Sequence, residues 1–329
     1  YYYSDRMVRM FIISERHGMN SIITKRKIRM KIMIVLFLVC FIFMVWSIDS
    51  NYTYCQANIG SVNDYNIFDG YKLHYVNLVS RHGARSPCTV FPFPHFAEYS
   101  CDIDDDIIFP GRNDVNDVIY KQKIVQDETQ ALSSKLWSGN CKVGQLLKEG
   151  SKQLTAIGTL LRNIYIDKLN FLSNIYNDDV VDEIYLRSTD VHRTKQSLQS
   201  LMMGLYPSEY REKSINMKWH VADPMVETMN PNLIGCPALK ALDEEMYQSD
   251  QWLQHANTLS NISDTLHQMF QITPSTPGDW GFTPKGNINA FLDNFHTLQC
   301  TKQSLPCAIN NPQHCVAQQD ANIVYYAGS

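Results

Sequence analysis

The chain has 329 residues, with 29 Lys and Arg against 33 Asp and Glu, a net charge of −4 and 44% hydrophobic residues. That length gives one large domain or two modest ones a proper core. The mild acidity argues against a nucleic-acid surface, which calls for a basic face, and nothing in the charge balance supports a long disordered tail. In chain order, a basic cluster at 25–31 precedes an uncharged, mostly apolar run at 32–46 and polar residues at 47–50. This is the layout of a secretory signal over 30–47, with Val45-Trp46-Ser47 as the cleavage site. A type II membrane anchor is the alternative, although the run is shorter than the ~20 residues a span needs. The chain begins with Tyr1; Met30 is read as the start and residues 1–29 as a pre-start extension. Only a retained signal segment would bring the protein to a membrane. Cys40 leaves with that segment. Cys55, Cys88, Cys101, Cys141, Cys236, Cys300, Cys307 and Cys315 remain, an even number that suits an oxidising compartment with its connectivity open. Sequons at Asn51 and Asn261 agree with export and glycosylation.

Residues 55–207 read as the first part of an α/β domain. Leu73-His74-Tyr75-Val76-Asn77-Leu78-Val79 is a strand candidate, and it runs into Arg81-His82-Gly83-Ala84-Arg85-Ser86-Pro87. Gly83 breaks the strand and lets the backbone approach a ligand closely. Open α/β sheets place ligands at the C-terminal ends of their strands. There a neutral His82 imidazole can attack phosphorus, while the guanidinium forks of Arg81 and Arg85 hold its oxygens. Five fixed positions match by chance in on the order of one chain in ten thousand of this length. Arg-His-Gly-x-Arg-x-Pro after a strand resembles the histidine acid phosphatases, a branch of the histidine phosphatase superfamily. Arg16-His17-Gly18 repeats only three letters, lacks the later arginine and proline, and is read as coincidence.

The stretch 88–136 reads as irregular. Its acidic run at 102–106 is a solvated loop, since it lacks a ladder of cation ligands. Trp137-Ser138-Gly139-Asn140-Cys141-Lys142-Val143-Gly144-Gln145-Leu146 and a helix over 152–171, capped by Ser151 or Thr155, also resemble that family, in positions that carry packing. A second strand over 180–186 leads into Arg187-Ser188-Thr189-Asp190-Val191-His192-Arg193-Thr194 and then a helix to about Leu205, closed by Tyr206-Pro207. Residues 208–299 are prolines, helix and loop, enough for a smaller, mainly helical cap. Residues 300–329 return to the α/β domain, with 322–329 as a final strand. The fold class is α/β, a mostly parallel central sheet flanked by helices, plus that cap.

Arg-Ser-Thr-Asp-x-x-Arg-Thr resembles the family's second signature, which implies that Arg187 is a third phosphate contact. Arg193 is read as a structural partner of Asp190, and His192 as a helix surface residue. The resemblance implies hydrolysis of small phosphate monoesters through a phosphohistidine on His82, with no metal and no cofactor. It also implies a proton donor from a late His-Asp pair. None occurs after Arg187, so the chain is read as ending short of it, with the pair expected just after Ser329. Three other readings stay open: a phosphate-binding pseudoenzyme ectodomain, a narrower phosphatase for inositol polyphosphates, phospholipids or phosphosugars, and a cytosolic phosphoglycerate mutase, disfavoured by the signal and cysteines. A homodimer and a secreted or lysosome-like destination are compatible with every exported reading.

Overall fold

A computed structural model describes residues 9–12, 55–89, 91, 97–101, 107–108, 120–121, 137–212, 215, 217–276, 281 and 288–327. The signal segment 30–47, the Asn51 sequon and the acidic run 102–106 lie outside them. The strands are β1 (Arg9–Ile12), β2 (Val76–Val79), β3 (Glu98–Tyr99), β4 (Ile107–Ile108), β5 (Tyr120–Lys121), β6 (Ser138–Gly139), β7 (Arg187–Ser188), β8 (His220–Val221), β9 (Cys307–Ala308) and β10 (Asn311–Cys315). The helices are α1 (Lys148–Leu161), α2 (Asp178–Glu183), α3 (His192–Leu205), α4 (Pro237–Gln248), α5 (Asp250–Thr258), α6 (Ser260–Phe270), α7 (Asn289–Cys300) and α8 (Gln318–Ala327).

Helices α1 and α3 organise the first half. Leu154 and Leu161 of α1 and Leu201, Met202 and Leu205 of α3 recur at helical spacing and are buried with Ile164, Tyr165, Tyr176, Val180 and Tyr206. The two backbones touch at Gly158, where a Cβ would lie 2.0 Å from the Leu201 carbonyl oxygen. The helix expected from 152 starts at Lys148 and continues over Arg162–Lys168 as a π-helix. Neither Ser151 nor Thr155 caps it, because the first turn begins at Leu147 without a side-chain cap. Both hydroxyls work inside the helix pair, Ser151 against Ser200 at 2.8 Å and Thr155 on the Ser151 carbonyl at 3.1 Å. Arg162 is buried and donates to the Leu205 carbonyl at 3.1 Å, so the expected packing role of this region holds.

A second core joins α6, α7 and α8 through Leu266, Phe270, Phe291, Phe295, Ala321 and Val324, with Phe91 from the loop after the signature. A third gathers Tyr99, Cys101, Trp137, Cys141, Leu147 and Leu298. Disulfides link Cys55 to Cys300, Cys101 to Cys141 and Cys307 to Cys315, while Cys88 and Cys236 are exposed thiols. The even cysteine count therefore does not end in four bonds.

The helices and small sheets are those of an α/β fold. Among the described residues the strands form five two-stranded sheets, of which β3–β6 and β7–β8 are parallel and the others antiparallel. Two expectations are corrected below. No ladder joins β2 to β7 among the described residues. The run 180–186 is mostly helix: Asn177 accepts the Val180 N–H, and Asp178 and Asp179 occupy the first turn of α2, so local capping overrides the β-branched valines. Only 184–186 stays extended ahead of β7. The expected final strand is α8, which buries Ala321 and Val324, three apart, on one side. No described helix is long and apolar enough to cross a membrane.

Candidate active site

The signature loop leaves β2 and is held on three sides. Along one edge it pairs with the segment before α1: Ser86 N–H donates to the Gln145 carbonyl at 2.9 Å, Gly144 N–H to Pro87 at 2.8 Å and Leu147 N–H to Ala84 at 2.9 Å. Ser86, wholly buried, accepts the Gln145 N–H on its hydroxyl at 3.0 Å. From the helices, Gln153 of α1 accepts the Ala84 N–H at 2.9 Å and Ser197 of α3 accepts the Gly83 N–H at 3.1 Å. Gly83 is also required by the packing around it. A Cβ at this position would lie 2.2 Å from the Gly150 carbonyl oxygen, so its missing side chain admits the first turn of α1.

This scaffold fixes His82. Its Nδ1 lies 2.8 Å from the carbonyl of Gly83. A carbonyl only accepts, so Nδ1 carries the proton and Nε2 keeps its lone pair. Burial pushes the imidazole down to about 3, and the positive fields of Arg85, Arg193 and Arg81 push the same way against the Gly83 hydrogen bond. A histidine so placed stays neutral in mild acid, with a lone pair on Nε2.

Arg81 is exposed, whereas Arg85 is half-buried. Arg85 makes a two-pronged contact with Asp293 of α7, Nη2 to Oδ1 at 2.7 Å and Nη1 to Oδ2 at 3.2 Å. Arg193 stands near the first turn of α3, and its Nε is buried without a hydrogen-bond partner among the described residues. Asp190, its expected partner, pairs instead with Lys195. Arg193, expected to be structural, thus joins Arg81 and Arg85 among the cations whose fields act on His82, and its place in the second signature is the signal the sequence offers. Arg187 sits on β7 and donates to Glu227 at 2.7 Å and to Thr228 at 3.2 Å. It is not among the cations whose fields act on His82. His192 is half-buried rather than at the surface.

His296 lies on α7, three residues after Asp293. It stacks on Tyr325 at 4.3 Å between ring centroids and is pushed down to about 4, first by burial, with Asp293 opposing and Arg81 assisting.

Residues 72–309, well over half of the chain, match the family model of the histidine phosphatase superfamily, branch 2. Among similar proteins, counting factor 60 of Dictyostelium discoideum is 28% identical over 291 residues, covering 85% of this chain and 64% of its own length. Lysophosphatidic acid phosphatase type 6 of Mus musculus is 28% identical over 182 residues, covering 51% of this chain and 39% of its own. Lysosomal acid phosphatase of Xenopus laevis is 28% identical over 238 residues, covering 70% and 42%. The chain therefore spans less than two thirds of each of these relatives. With a signature loop that presents a neutral histidine among arginines and a match of this extent, the chain belongs to branch 2 of the histidine phosphatase superfamily.

Proposed function

We propose that this chain carries the phosphoryl-accepting site of an acid phosphatase acting on small phosphate monoesters. The observation that supports it best is the geometry of His82, with Nδ1 held by the Gly83 carbonyl and Nε2 left as a nucleophile in the field of three guanidinium groups. The Nε2 lone pair forms a bond to phosphorus as the ester P–O bond breaks, and the electron pair leaves with the alkoxide. Water then cleaves the N–P bond, releasing inorganic phosphate and restoring the imidazole. Arg81, Arg85 and Arg187 hold the phosphoryl oxygens and spread the charge of the loose transition state. On this reading β2 and β7 belong to one parallel sheet in the whole protein, and Arg187 exchanges Glu227 for a phosphate oxygen. The leaving alkoxide takes its proton from a general acid or, where it is a good leaving group, from water.

Relatives named for lysophosphatidic acid and for the lysosome favour a phosphomonoester substrate and delivery through the secretory pathway. The three disulfides support an oxidising compartment. The test uses phosphorus-labelled p-nitrophenyl phosphate, whose leaving group needs no proton, with an alkaline quench that preserves phosphohistidine. The chain takes label and His82→Ala takes none. Equal labelling of both rejects His82 as nucleophile. Phosphate binding without any label moves the pseudoenzyme ectodomain to first place.

A further inference from the structure

We infer that Asp293 is a positioning residue for phosphoryl transfer, fixing the Arg85 guanidinium and the far end of the signature loop from helix α7; the inference rests on the phosphohistidine reading above. Asp293 lies 208 residues beyond Arg85, yet its carboxylate meets both terminal nitrogens of that side chain. The pair is largely shielded, with 15% and 20% of the two side chains exposed. Oδ2 also accepts the Cys88 N–H at 2.6 Å, so one carboxylate holds the loop at two points. The next residue repeats the grip, because Asn294, wholly buried, donates to the Thr89 carbonyl at 2.8 Å.

The support beneath Asp293 is rigid. Phe291 and Phe295 flank it in sequence and are wholly buried, and Cys300 ties the end of α7 to Cys55. A planar guanidinium held by two parallel bonds has little freedom to rotate, which aims its remaining edge. A phosphate site built only from residues 81–87 would leave Arg85 to find its own rotamer.

Two roles make opposite predictions. If Asp293 only balances the charge of Arg81, Arg85 and Arg193, then Asp293→Asn leaves a more positive site that binds inorganic phosphate more tightly. If it positions Arg85, the same change loosens the clamp. We expect Asp293→Asn to weaken inorganic phosphate by about tenfold in calorimetry. The rate of labelling by p-nitrophenyl phosphate should fall by about tenfold to a hundredfold. In an Arg85→Ala background the same substitution should change either value less than about twofold, because the group it positions is gone. Asp293→Glu, which keeps the charge on a longer arm, should recover part of the affinity and serves if Asp293→Asn does not fold. Tighter phosphate binding in Asp293→Asn, or an undiminished loss in the Arg85→Ala background, overturns the role. A chain that binds no phosphate at all rejects the phosphatase reading, and the positioning role falls with it.

Discussion

Acid should weaken this fold through His82, and removing the imidazole should abolish that part of the weakening. Folded His82 is pushed down to about 3, against 6.5 for an unhindered histidine. Between those values the unfolded chain binds a proton that the folded chain does not, so stability rises with pH across the window and is lost as pH falls. At pH 7.5 neither state is protonated there. At pH 5 the unfolded residue is almost wholly charged, and the 1.5 pH steps below 6.5, at about 1.36 kcal/mol each, make the folded state about 2 kcal/mol less stable. The assay is urea unfolding of the wild type and His82→Ala at both pH values. The packing lost with the ring is the same at both and cancels in the difference. The wild type should lose about 2 kcal/mol more than the variant on going from pH 7.5 to 5. Parallel losses, within about 0.5 kcal/mol, would refute a desolvated, cation-facing imidazole.

Gly83→Ala puts a Cβ 2.2 Å from the Gly150 carbonyl oxygen and should destabilise by about 3 kcal/mol or prevent folding. Gly70→Ala, with φ +79° and nothing within 4 Å of a new Cβ, should lose only about 1 to 2 kcal/mol, and equal urea midpoints for the two variants would refute the close approach. Phe291→Ala removes a wholly buried ring whose centroid lies 6.0 to 6.2 Å from those of Phe91, Phe270 and Phe295, and unfolding should become easier by about 3 to 5 kcal/mol. Arg193→Gln withdraws a cation that lowers His82, so the acid limb of labelling should move to higher pH. Arg187→Gln should leave that limb in place while weakening phosphate.

Much of the site was legible because it is local. Seven consecutive residues carry the His82 imidazole and two cations, and the second signature places Arg193 within eight positions of its own start. Asp293 was not legible. A lone aspartate in Phe291-Leu292-Asp293-Asn294 carries no mark of a partner 208 residues away, and only the packing of α7 brings the two together. The packing role of Gly83 was not legible for the same reason: the atom a side chain there would meet belongs to Gly150. Errors in the elements have a different origin. Valines at 180–181 argue for a strand, but Asn177 and two aspartates offer a cap and a first turn, and those local bonds decide the matter. At 318–327 the apolar residues suit either element, and burial of Ala321 and Val324 against the α7 phenylalanines selects the helix.

The charges around His82 lead to one further expectation. Arg81, Arg85 and Arg193 act on a single imidazole, and Asp293 offsets their charge where it binds Arg85 and supports the cation on Arg193. Arg193 is pressed below its ordinary value, first by burial, and its Nε has no acceptor among the described residues. Desolvated cations that repel one another raise the free energy of the folded state unless an anion enters among them. A phosphate dianion supplies charge and acceptors together, so the fold should be stabilised by inorganic phosphate. At a concentration of about one hundred times the dissociation constant the gain is about 2.7 kcal/mol, and it should appear as a rise in urea midpoint with added inorganic phosphate. Sulfate should act in the same direction and potassium chloride at matched ionic strength should not. Arg193→Gln should reduce the gain. Stabilisation of equal size by chloride would mean that the arginines are merely screened and form no phosphate site.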